Sequence, residues 1–188
     1  MRKIVSFMHV SLDGFAATPD RGLQWVNIDQ DIFDYAGNQT DNADTALYGR
    51  ITYELMDNYW PTAADKQGAS KHDIQHSKWY NAVEKIVLSR TLKTTRASKT
   101  RIISEDAPEE IYKLKEKTGK NIIMFGSPGT VRSLLGDDLV DEFWLFVNPV
   151  ILGHGIPFLQ DASVRVNLEL VSSRDFPSGL VCLQYIKK

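Results

Sequence analysis

The sequence predicts an α/β domain built on a mostly parallel sheet that gains antiparallel strands at one edge. Three observations predict it. Short apolar runs alternate with helical patterns through the first two-thirds of the chain. The last third instead holds strand-like segments at 142–150, 164–171 and 180–186, separated by Gly- and Pro-bearing loops. A length of 188 residues, 43% hydrophobic and 24% charged, suffices for one well-filled domain over residues 1–188 and is short for two.

Taken in order, residues 4–10 read as a first strand, stopped by the Asp13-Gly14 turn signal. Residues 15–27 carry Pro19, Gly22 and Trp25 and read as loop. Asn27 or Asp29 can cap a short helix reaching Tyr35 or Ala36, with Ile32, Phe33 and Ala36 on one side. Residues 45–48 form a short strand that passes through Gly49-Arg50 into a helix bearing Tyr53, Leu55 and Met56. The polar stretch 61–71 is loop, and 72–82 can be helical. Residues 85–89 and 100–104 are further strands. Asp106, with Pro108 and Glu109 after it, starts a helix that Gly119 stops, and its acidic start and basic end suit the helix dipole.

Residues 121–135 anchor the pattern. Ile122–Phe125 is an unbroken apolar run, as a strand buried on both faces requires. Gly126-Ser-Pro-Gly129 breaks it, and Thr130, Val131, Leu134 and Leu135 then recur at helical spacing. A strand, a small-residue turn and a helix start leave free backbone N–H groups at the positive end of a dipole, which suits a phosphate or pyrophosphate. An ordinary βα turn has the same pattern. Two further strand ends, Gly49-Arg50-Ile-Thr52 and Ser89-Arg90-Thr91, carry arginines with hydroxyl neighbours and suit a terminal phosphate. Ligands of open α/β sheets bind beyond the carboxyl ends of the strands, so the three turns are expected to share one crevice.

Other chemistries find less support. A net charge of −2 gives no electrostatic reason to expect nucleic acid or an anionic membrane. The single cysteine, Cys182, lies in an apolar run and reads as core. There is no Cys-x-x-Cys, no Gly-x-Ser-x-Gly elbow, no Walker lysine motif and no Gly-x-Gly-x-x-Gly after the first strand. His72 and His76, at i and i+4, lack an evident third metal ligand, and His154 stands in a Gly-flanked loop. The N-terminus reads as no signal peptide, and no apolar stretch approaches bilayer length, so a cytoplasmic location is expected.

Asp44-Thr-Ala-Leu-Tyr-Gly-Arg-Ile-Thr-Tyr-Glu54 resembles the Gly-Arg-x-Thr-aromatic-Glu element of the dihydrofolate reductase superfamily. Ser11-Leu-Asp-Gly-Phe15, Val87-Leu-Ser-Arg90, Met124-Phe-Gly-Ser127 and Asp141-Glu-Phe with Pro149-Val-Ile-Leu-Gly153 resemble its riboflavin-biosynthesis reductase branch. The resemblance covers nearly the whole chain and implies a dihydrofolate reductase-like three-layer fold, with about eight strands and helices on both faces. It implies an NADPH-dependent reductase acting on a C=N or C=O bond of a small heterocycle, such as a ribosylaminouracil phosphate. By position, Gly49, Arg50 and Thr52 would meet adenosine-side phosphates, and Ser89 and Arg90 the 2′-phosphate. Gly126, Ser127, Gly129 and Thr130 would meet the pyrophosphate, and Val10 and Ala16 would flank the nicotinamide. Asp29 and Asp31, after Trp25 at a spacing unlike that of dihydrofolate reductases, or a bound water, are the candidate proton donors. A dihydrofolate reductase proper and a non-catalytic NADPH-binding protein are the alternatives. The branch also implies a homodimer, here expected to use the apolar segments 143–150 and 180–186.

Overall fold

The computed structural model describes residues 1–27, 29–95, 97–160, 162 and 164–188. Its elements run β1 (Ile4–Ser11), β2 (Phe15–Ala17), α1 (Gln30–Asp41), β3 (Ala43–Gly49), α2 (Arg50–Tyr59), a 3-10 segment (Trp60–Asp65) and α3 (Lys71–Ala82). They continue through β4 (Glu84–Leu88), β5 (Thr100–Ile103), α4 (Ala107–Glu116), β6 (Asn121–Met124) and α5 (Pro128–Gly136). The chain closes with β7 (Glu142–Asn148), β8 (Ile156–Pro157), β9 (Leu168–Asp175) and β10 (Val181–Lys187).

Eight strands form one sheet in the order β5-β4-β3-β6-β1-β7-β10-β9. The six strands from β5 to β7 pair in parallel, and β10 then runs antiparallel to both β7 and β9. This is the mixed α/β sheet the sequence predicts. The strands read as unbroken apolar runs because both faces are covered. On β3, Leu47 joins Ile111 and Leu114 of α4 and Val131 and Leu134 of α5 in one cluster. Its neighbours Ala46 and Tyr48 point the other way and join Tyr53 of α2 and Tyr80 of α3. Farther along that second face, Ile32 of α1 meets Val5, Trp144 and Phe146. The period-two alternation of a strand thus sends successive side chains into two separate cores.

Local signals explain most helix starts. Ser70 and Asp73 close a reciprocal capping box on α3, and Asp29 caps α1 by accepting from the Ile32 N–H at 2.9 Å. Asp106 departs from expectation. It sits in the left-handed region at φ 48° and makes no side-chain cap bond, so Pro108 and the two glutamates mark that helix start instead. α1 also runs past the expected end at Ala36 to Asp41, because Gly37 is tolerated once Ile32 anchors the apolar face.

The C-terminal edge is corrected in one respect. Segments 143–150 and 180–186 do not lie at the sheet border: β7 is interior, and β10 is covered by β9. β9 begins four residues later than the predicted strand at 164–171, and it is the border strand at this end of the sheet, as β5 is at the other. No helix among the described residues is long and apolar enough to cross a membrane.

Candidate functional site

The parallel register brings the three predicted turns together. Gly49, at the end of β3, is level with Leu88 of β4, and Leu47 is level with Met124 of β6. The chain therefore leaves β3, β4 and β6 from the same edge of the sheet. The turns after β3 and β6 touch directly, since the Gly49 N–H donates to the Gly126 carbonyl at 3.3 Å. Ser127 Oγ and Thr130 Oγ1 lie 3.1 Å apart in the same turn. A Cβ on Gly49 would stand 2.6 Å from Ser127 Oγ and closer still to Thr130 Oγ1. Only glycine permits this approach. Gly126 has φ +109°, a conformation that side chains other than glycine rarely adopt.

Neither α2, with Gly49 at its N-cap, nor α5, with Ser127 there, carries a side-chain capping bond. The positive ends of two helix dipoles thus converge, with their first N–H groups not taken up by caps. That arrangement, with a glycine where a Cβ would fill the space, fits a diphosphate.

The basic residues lie around this cradle rather than in it. Arg50 is turned along its own helix, donating to Glu54 Oε1 and Oε2 at 3.0 and 2.8 Å. Ser89 Oγ accepts from the N–H groups of Thr91 and Leu92 at 3.2 and 2.9 Å, which fixes the turn after β4. Arg90 is exposed on that turn, and Lys93 Nζ donates to its carbonyl at 2.9 Å.

Beside the cradle opens a cavity of about 1250 Å³, more than a single small ligand usually needs. Ala16, Thr52, Gly126, Ser127 and Gly129 line it at the cradle end. Phe33, Trp60, His72, His76, Trp79 and Phe125 supply an aromatic wall, and Asp34, Asp41, Lys71 and Lys78 are among the charged residues that also line the cavity. His72 stacks on Phe33 with centroids 3.6 Å apart, and His76 lies 4.1 Å from the Trp60 ring. Burial pushes the His76 pKa down to about 3, so the ring is neutral at pH 7. Among the described residues no group of three or more His, Cys, Asp or Glu could hold a metal, and this histidine pair belongs to the aromatic wall.

Three predicted residues are placed elsewhere. Val10 is 3% exposed and sits in the core, its carbonyl taken by Asn148 Nδ2 at 3.2 Å. It does not line the cavity; its neighbours Met8 and His9 do. Asp29 uses Oδ1 as the helix cap, Asp31 is exposed, and neither is among the lining residues. A capping aspartate and one facing a crevice look alike in sequence, because both favour the first turn of a helix. Cys182 is fully buried, and burial pushes its thiol up to about 12. His154 is exposed.

The family profile of the RibD C-terminal domain matches residues 2–182. An uncharacterized protein of Bacillus subtilis strain 168, YyaP, is 34% identical over 186 residues, covering 98% of this chain and 94% of that one. Among solved structures, a proposed riboflavin biosynthesis protein from Shewanella sp. PV-4 superposes with a TM-score of 0.73 at 21% identity, covering 99% of both chains. A diaminohydroxyphosphoribosylaminopyrimidine deaminase/5-amino-6-(5-phosphoribosylamino)uracil reductase from Thermotoga maritima superposes with a TM-score of 0.70 at 16% identity. It is matched over 100% of this chain and 57% of its own length.

Proposed function

Because this chain belongs to the RibD C-terminal domain family, we propose that it is an NADPH-dependent reductase of a small heterocycle, acting on a C=N or C=O bond. The observation that carries the reading is the pair of uncapped helix starts meeting at Gly49 and Gly126, opening onto a cavity large enough for a second ring. When bound, the nicotinamide of the cofactor supplies the hydride. The chain's own residues bind and orient. The first N–H groups of α2 and α5, with the hydroxyls of Thr52, Ser127 and Thr130, hold the pyrophosphate. Arg50 exchanges Glu54 for an adenosine-side phosphate, and Ser89 and Arg90 receive the 2′-phosphate. Ala16 and Gly126 wall the nicotinamide, and the aromatic walls receive the substrate and keep water from the reacting faces. Asp29 is engaged as a cap, Asp34 and Asp41 are the carboxylates that line the cavity, and the substrate's proton is assigned to solvent.

Calorimetry with both cofactors tests the assignment. A charge-assisted hydrogen bond contributes about 1.5–3 kcal/mol, so Arg50→Ala and Arg90→Ala should each weaken NADPH roughly 10- to 100-fold. NADH, which lacks the 2′-phosphate, should keep its affinity in Arg90→Ala. Equal losses for both cofactors in Arg90→Ala would refute the 2′-phosphate site. Absorbance-monitored NADPH oxidation against pterins, flavin precursors and quinones then sorts substrates, and binding without turnover across that panel would favour a sensor.

The free edge bears on assembly. β9 exposes Leu168, Leu170 and Val171 at 37%, 52% and 56%, on a strand of eight residues with one unpaired side. Long apolar edges are ordinarily covered. A second copy of this chain is proposed as the cover. Light scattering should give a dimer at high micromolar concentration and a monomer for Leu170→Lys, and a monomeric wild type would remove the proposal.

A further inference from the structure

Polar and charged residues such as Asp34, Lys71 and Gln75 line the cavity, and His9 is the one on the central strand β1. The ring of Phe7, its neighbour on the same face of β1, lies 5.3 Å from that of Phe125, the residue before Gly126, so His9 stands toward the cradle end. Its ring is held flat on Phe146, with centroids 4.8 Å apart and planes inclined by 23°, and Phe7 meets its edge at 6.0 Å. Behind it lies Asn148, which is 0% exposed.

The orientation of that amide is settled by backbone groups of fixed polarity. Asn148 Oδ1 accepts from the Asn27 N–H at 3.1 Å. Nδ2 donates to the carbonyls of Val10 and Phe146 at 3.2 and 3.1 Å. The amino group is therefore what faces His9 Nδ1, at 3.5 Å. Both of its hydrogens go to those carbonyls, and an amide nitrogen does not accept, so a proton on Nδ1 would face a group unable to take it; the single proton of the neutral ring is therefore assigned to Nε2. Burial supports the same state, pushing the His9 pKa down to about 4. With Nδ1 turned to a fully buried residue, the Nε2 edge is the part that meets the cavity.

We propose that His9 recognises the substrate, its Nε2–H, fixed in one tautomer by Asn148, donating to a carbonyl oxygen or ring nitrogen of a flat heterocycle held between the aromatic walls. The substrate class is thus a planar ring system with an exposed acceptor at its edge. Asn148 is a positioning residue that acts through His9. The proposal rests on the reductase reading only in assigning this cavity to the substrate.

The probe is lumazine, a flat bicyclic ring system with carbonyl and ring-nitrogen acceptors, titrated into the protein with and without NADP⁺, which permits no turnover. Nitrogen NMR of histidine-labelled protein should show the proton of His9 on Nε2, and the Nε2 signal should shift when lumazine is added. His9→Leu should weaken lumazine between about 3- and 30-fold, the scale of one lost hydrogen bond in a closed site, and His9→Gln should recover part of it. NADP⁺ affinity should be unchanged in both variants. A proton on Nδ1, no lumazine binding to the wild type, or equal lumazine affinity in His9→Leu would each overturn the proposal. Failure of NADP⁺ to bind, with the His9 signal still shifted by lumazine, would overturn the cofactor reading and leave His9 as the recognition group.

Discussion

Gly49→Val should lower NADPH affinity by at least about 100-fold while leaving the fold intact. The backbone at Gly49 is extended, φ −78° and ψ 158°, so a valine is conformationally acceptable there. What it lacks is space, since its Cβ would displace the hydroxyls of Ser127 and Thr130. Those hydroxyls either rotate out of the cradle or force the starts of α2 and α5 apart. Both outcomes remove at least two hydrogen bonds to a charged pyrophosphate, at about 1.5–3 kcal/mol each, which sets the expected loss. Calorimetry for affinity and circular dichroism for the melt decide the matter. Affinity within threefold of wild type would mean that the close approach of the two turns is a packing device unrelated to phosphate.

Asp141→Ala should act in the opposite sense, on stability and not on binding. Asp141 Oδ2 accepts from Lys115 Nζ at 2.6 Å and from the Ile4 N–H at 2.7 Å. Lys115, 5% exposed, has the Leu139 carbonyl at 3.0 Å as its other partner. One carboxylate thereby fastens α4, the start of β1 and the approach to β7. Removing it strands a buried ammonium and an unpaired N–H, a change that costs about 3–5 kcal/mol. For a chain of this size that is a fall of roughly 6–20 °C in Tm. The cluster lies at the starting ends of β1 and β7, one strand length or about 25 Å from the cradle, so NADPH affinity at 20 °C below the new midpoint should match wild type. A Tm loss under about 2 °C would show that the pair contributes little.

Residues that obey a period were legible in the sequence. Ile122–Met124 and Leu47–Tyr48 read as buried strands because parallel strands covered on both faces contain little else. The turns at Gly49, Ser89 and Gly126 were found by residue type, and their meeting at one edge follows from parallel pairing alone. The failures have local causes. The ribbon of β2 and β8 spans three and two residues, too short for alternation to register, among glycines that read as loop. β9 ends in Ser172, Ser173, Arg174 and Asp175, polar residues that an uncovered edge tolerates and an apolar pattern overlooks. His9 reads in sequence as an interruption of an apolar strand. The available signal was its position, one residue before the end of the apolar run, where a central strand reaches the crevice.

The strand order also determines when this protein can fold as it is made. β1, synthesised first, has only β6 and β7 as neighbours, and its Ile4 N–H waits for a carboxylate 137 positions later. An emerging chain therefore carries Ile4, Val5, Met8 and Val10 uncovered for most of translation, and the central strand is seated only after the C-terminal third has left the ribosome. Such long-range closure slows folding and prolongs the exposure of apolar surface.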